Sequence, residues 1–140
     1  MWKINLTSDQ SLVIQGLINA FVNHPPEKLE WQTPFVQEHD ALPLYIGWTK
    51  TTAIKPNGQL VVWNTEDDTT ITEEMDRQAF HASLTEGARR YPELDFLIPE
   101  RPNDAVLCEA CQGTGKLEPN KLQAVICGCG GVGWIVQGKP

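Results

Sequence analysis

The chain lacks any run of about 18 uncharged apolar residues, the length a membrane-spanning helix needs, so no membrane helix is expected. It also lacks a dense basic patch. Eleven Lys and Arg stand against eighteen Asp and Glu, a formal charge of −7. Nucleic-acid binders displace counterions with clustered basic side chains, so DNA and RNA are disfavoured as partners. Serine occurs only at positions 8, 11 and 83, never inside a G-x-S-x-G elbow. No H-E-x-x-H is present, and the glycine-rich stretch 128–133 has no P-loop lysine. The carboxylates of 66–76 lack the alternating spacing and central glycine of an EF-hand loop. His24, His39 and His81 stand apart from one another in sequence. No enzyme is expected from these absences.

A secretory leader is also missing by pattern. The apolar run Leu12–Val22 is preceded by Asp9, interrupted by Gln15 and Asn19, and followed closely by no small-x-small cleavage site. It reads as an amphipathic helix, and the chain is expected in the cytoplasm.

What is present suits one domain with a small appended module: 140 residues, 41% of them apolar. Residues 2–6 form a candidate first strand. Ser8 or Asp9 is the expected cap of a first helix, which buries Leu12, Ile14, Leu17, Ile18, Phe21 and Val22 and stops before Pro25 and Pro26. Residues 27–43 read as a polar connection. The β-rich run Leu44–Ile54, the turn pair Asn57-Gly58 and the run Gln59–Asn64 predict a hairpin over about 44–64, with Trp48 and Trp63 packed on or near it.

Six acids then fall within eleven residues without a base: Glu66, Asp67, Asp68, Glu73, Glu74 and Asp76. Thr70 or Thr72 is the expected cap of a second helix, whose positive N-terminal end favours those acids. Met75, Ala79, Phe80, Leu84 and Ala88 form its apolar side, Arg89 and Arg90 its C-terminal end, and Pro92 its stop. A boundary is placed near 102, dividing a body of 1–102 from a module of 103–140. The expected fold class is α+β: two helices packed on a small antiparallel sheet, with a C-terminal four-cysteine zinc knuckle.

All four cysteines lie between 108 and 129, in the pattern C-x2-C-x15-C-x-C. Two close pairs of thiolates match the ligand set of one structural Zn2+, held by Cys108, Cys111, Cys127 and Cys129. Neighbouring sulfurs in such a site lie within about 4 Å of each other, which demands curled backbone. Glycines at 113, 115, 128, 130, 131 and 133 supply it. An iron–sulfur cluster uses the same ligands. Disulfides would need an oxidising compartment. A redox C-x-x-C normally opens a helix, whereas Gln112-Gly-Thr-Gly115 reads as a turn.

The first knuckle, Cys108-Glu-Ala-Cys111-Gln-Gly113-Thr-Gly115, resembles the C-x-x-C-x-G-x-G repeat of the cysteine-rich zinc domain of DnaJ-type co-chaperones. The second is similar from Cys129 through Gly131 and Gly133, with its first cysteine at 127 rather than 126, where Ile126 stands. The resemblance covers roughly 108–133 and implies zinc at the four cysteines. It does not extend to co-chaperone activity: the family carries two zinc centres and a J-domain, whereas this chain has cysteines for one centre, and His24-Pro25-Pro26 lacks the aspartate of a J-domain's His-Pro-Asp.

The function expected is that of a non-enzymatic, zinc-containing protein-binding protein. Its working surface would be Trp63, Glu66, Asp67, Asp68, Glu73, Glu74 and Asp76, and its partner a basic protein drawn by charge complementarity. Small acidic immunity and antitoxin proteins fit that profile. One alternative is a zinc-ribbon nucleic-acid or ribonucleoprotein adaptor using Lys116, Lys121, Lys139 and Trp134. A second is a thiol oxidoreductase using Cys108 and Cys111. Trp134, with Ile135 and Val136, is expected to dock the module on the body.

Overall fold

The computed structural model describes residues 2–47, 49–64, 71–72, 75–113, 116–120, 123–126, 129 and 131–136. The chain divides into two compact units, Met1–Glu74 and Met75–Pro140. The boundary therefore falls well before 102. The physical reason is that the helix expected to belong to the body is bonded to the cysteine segment. No helix among the described residues is long and apolar enough to cross a membrane.

The first unit opens with α1, Ser8–Asn23. Its cap is Thr7, one residue earlier than expected, in a reciprocal box with Gln10: the Gln10 amide donates to Thr7 Oγ1 and the Thr7 amide to Gln10 Oε1. Ile14, Ile18 and Phe21 turn inward at helical spacing. A 3-10 turn, Glu30–Gln32, leads into α2, Thr33–His39. This third α-helix corrects the reading of 27–43 as connection. It is only seven residues long and fully buries only Val36, too little for a periodic signal. Pro34 in its first turn suits a helix start, where a missing N–H costs nothing. The strand expected over 2–6 reduces to one bridge, Lys3 to Gln59.

Four strands follow in the order β1-β2-β3-β4, all antiparallel: β1 Leu42–Ile46, β2 Lys50–Ile54, β3 Leu60–Asn64 and β4 Ile71–Thr72. The expected hairpin is present as β2 and β3, closed by Lys55 and Gln59 around Gly58. The run 44–54 is not one strand, because the Gly47 amide bonds back to Lys50 O at 2.9 Å and folds it in two. Pro43 lies in edge strand β1 at a register shift, a position where the lost N–H is tolerated. Trp48 lies outside the described residues.

Trp63 sits at the centre of this unit's core, with 0% of its surface exposed. Phe35 stacks on it at 5.3 Å between ring centroids. Its indole N–H donates to Gln32 Oε1 at 2.9 Å, and the Gln32 amide donates to Thr51 Oγ1 at 3.0 Å. Each buried polar atom in this relay has a partner, so its desolvation is compensated.

The second unit starts with α3, Arg77–Arg90. Its cap is Asp76, whose carboxylate accepts from the Ala79 amide at 2.7 Å, rather than Thr70 or Thr72. The helix starts later than expected because Ile71–Thr72 is drawn into the sheet opposite Val62 and Trp63. It ends at Arg90, before Pro92, as the sequence predicts. A 3-10 run, Pro92–Leu97, buries Leu94 and Leu97. Two small ribbons complete the unit: β5 Val106–Leu107 with β8 Trp134–Ile135, and β6 Lys116–Asn120 with β7 Gln123–Ile126. Within the segment linking the cysteine pairs, β6 and β7 thus pair antiparallel.

Candidate metal centre

Cys108, Cys111 and Cys129 lie together, with their sulfurs all within 4.8 Å of one another. They are 6%, 5% and 2% exposed. Val132 and Ile135 cover them. The Cys111 and Cys129 sulfurs are 3.8 Å apart. A tetrahedral site with Zn–S bonds of about 2.3 Å has sulfur–sulfur edges of about 3.8 Å. A disulfide would instead bring sulfurs to about 2.05 Å. Three thiols from two separate segments therefore meet at a separation that suits a shared metal ion. Cys127, expected as the fourth ligand, lies outside the described residues, as do Gly115, Gly128 and Gly130.

The backbone explains how the sulfurs converge. Gly113 and Gly131, each two residues after a cysteine of the cluster, have φ of 84° and 83°. The two knuckles thus turn in the same left-handed way at corresponding positions, as their shared C-x-G spacing requires. Gly133, at φ 90°, brings the knuckles together: a Cβ there would lie 2.5 Å from Gly113 O. From that close approach the Gly133 amide donates to Cys129 Sγ at 3.4 Å, and Gly133 O accepts from the Cys108 amide at 3.1 Å.

Helix α3 holds the second knuckle from outside. The Gln78 side chain donates to Cys129 O at 2.6 Å and Trp134 O at 2.9 Å, and accepts from the Val136 amide at 2.8 Å. Arg89 donates to Gly131 O at 2.6 Å. Glu86 lies within 3.6 Å of the same guanidinium. Trp134 meets the edge of His81 at 6.3 Å between centroids, so the docking tryptophan packs on α3. Sequence reading missed Gln78 and Arg89. Their only signal is an eleven-residue spacing, which returns to one helix face after three turns and occurs widely by chance.

Burial lowers the His81 pKa below its ordinary value, and the nearby Arg77 guanidinium adds to the effect. Arg77 is itself paired with Asp104, and their hydrogen bond holds the Asp104 carboxyl below the usual range. The Tyr91 phenol is pushed up to about 12, chiefly by burial.

The expected partner surface is corrected at one position. Trp63 is wholly enclosed, because its ring is the packing centre of the first unit, and it presents nothing to a partner. Asp76 is exposed, but its carboxylate is engaged as the helix cap. Glu66, Asp67, Asp68, Glu73 and Glu74 lie outside the described residues. Compared with known protein families, curated proteins and solved structures, the chain matches none.

Proposed function

We propose that this is a non-enzymatic protein-binding protein whose second unit is fastened by one structural zinc ion at Cys108, Cys111, Cys127 and Cys129. The observation that carries the metal reading is the 3.8 Å sulfur–sulfur edge inside a buried three-thiol cluster. The donor set also fits. Cys127 stands two residues before Cys129, so a fourth thiolate is available from the same knuckle. A full set of four cysteines suits a closed structural site, since catalytic zinc keeps a ligand position open. Four thiolates and one Zn2+ add −2 to the formal charge of −7.

The partner reading rests on charge. The first unit carries 4 basic and 10 acidic residues, a net −6, and half of those acids fall between 66 and 74. Such a run accelerates encounter with a basic protein and sets its salt dependence. Glu66, Asp67, Asp68, Glu73 and Glu74 are the proposed contacts. Trp63 is excluded by its burial, while Asp76 is exposed and caps α3 through one carboxylate oxygen.

Elemental analysis of protein purified without chelator tests the metal: one zinc per chain is expected, and iron or no metal refutes this reading. For the partner, affinity capture is compared between wild type and a variant with the five acids changed to amides. A basic partner lost from the variant and eluted by salt is expected. Equal retention by both proteins rejects the acidic surface.

A further inference from the structure

From Cys129 onward the second knuckle is gripped by one face of α3. Its loop runs from Cys129 to Trp134, and the Gln78 carboxamide donates to the carbonyls at both ends, at 2.6 and 2.9 Å. The amide's oxygen takes the Val136 N–H just beyond, at 2.8 Å. Arg89 holds the middle at Gly131 O. This hold depends on Gly131, where a Cβ would lie 2.1 Å from the Arg89 guanidinium. The first knuckle meets the second through the contact of Gly113 with Gly133.

We propose that Gln78, aided by Arg89, is a positioning residue of the metal centre, fixing the direction of the Cys129 thiolate by clasping the peptide group that follows it. This inference rests on the metal reading and deepens it. A ligand's direction is set by its backbone. The Cys129 peptide is fixed on its carbonyl side by Gln78, while the sulfur is approached by the Gly133 amide. Groups that orient ligands in this way commonly change metal affinity 10- to 100-fold when removed. Without Gln78, both ends of the loop lose their anchor, and the ion must supply the ordering itself.

The test is cobalt(II) and zinc(II) binding by the reduced full-length chain, read by thiolate-to-cobalt absorption and by competition with a chromogenic chelator. Gln78→Leu is expected to weaken both metals about 10- to 100-fold. Gln78→Glu still accepts from Val136 but has no N–H for the two carbonyls, so it is expected to fall with Gln78→Leu. Arg89→Ala is expected to cost several-fold. A merely structural role would weaken both metals no more than Asp76→Ala does, since that variant loosens the same helix without touching the knuckle. Gln78→Leu binding within about two-fold of wild type overturns the proposal, and so does a wild-type affinity in Gln78→Glu. If Gln78→Leu does not fold, Gln78→Glu and Arg89→Ala decide, and wild-type affinity in both overturns it. A wild-type chain that takes up neither metal removes the metal reading and this inference together. Wild-type uptake with unchanged variants removes this inference alone.

Discussion

The two units solve the problem of a small core in different ways. The first buries a continuous apolar set, with Ile14, Val36, Leu42, Leu44, Ile54, Leu60 and Trp63 all at 0% exposure. Two of its buried polar groups, Gln32 and Thr51, are bonded to one another, and Gln32 also to Trp63. Among its described residues the second buries Leu84, Leu94, Leu97 and Val136 at 0–7%, beside three cysteines. It leaves Val106, Leu107 and Ile98 at least half exposed. Apolar burial is worth about 25 cal/mol per Å², and the proposed ion would add order to the second unit beyond what such burial supplies. The proposed zinc site would thus fasten the second unit by ligation, where the first relies on packing.

The comparison breaks most cleanly on metal removal. Chelation, or Cys129→Ser, is expected to unfold 75–140 while leaving the β1–β4 sheet in place. Structural zinc sites in small domains contribute about 10–16 kcal/mol near neutral pH, far more than any single side chain. Residue-resolved NMR of the full chain checks this: loss of dispersion confined to the second unit is expected. Simultaneous collapse of both units would mean that their stabilities are not separable.

The converse break is Trp63→Ala. Truncating a fully buried tryptophan costs about 3–5 kcal/mol, and here Gln32 would also lose its donor. Urea denaturation should show the first unit unfolding at lower denaturant, with zinc affinity unchanged. A smaller effect belongs to Asp76→Ala, which removes the α3 cap and should cost about 1 kcal/mol. Because α3 carries Gln78 and Arg89, that loss should appear as reduced protection of the metal unit in hydrogen exchange. Unchanged protection there would show that the helix end is held by other contacts.

The same contrast explains what the sequence disclosed. The cysteine spacing and the hairpin at Asn57-Gly58 were legible because each is fixed by a local rule: ligand geometry in one case, positive φ in the other. Helix α1 was legible from its long period. Helix α2 was not, since one buried valine in seven residues carries no periodicity. The strand Ile71–Thr72 was read as helix approach, because its pairing with Val62 and Trp63 is long-range. Trp63 was misplaced on the surface for a related reason: composition cannot tell a core aromatic from an exposed one near an acidic run. Gln78 and Arg89 were invisible because their partners are backbone carbonyls more than forty residues away, and a carbonyl leaves no trace in the sequence.

The finest test of the contrast is pH, read at His81. This imidazole is 9% exposed, beside Trp134, and its Nδ1 has no hydrogen-bond partner. Burial disfavours its charged form and Arg77 repels it, with Asp104 only partly offsetting. Its folded pKa is therefore below the unfolded value of 6.5. The folded state binds fewer protons, so this contribution to stability is complete above pH 6.5 and is lost as pH falls from there through the folded pKa. Asp104 acts in a lower window. Its depressed pKa stabilises the fold above the ordinary value of 3.8 and is lost below it. His81→Gln removes the first window and leaves the second. Denaturation at several pH values between 7.5 and 5 should show a shallower decline for the variant than for wild type, with the difference confined to the second unit. An NMR titration of His81 at or above the ordinary value would remove the basis for this contribution. Parallel pH slopes in the two proteins would show that His81 does not set the acid sensitivity of the unit.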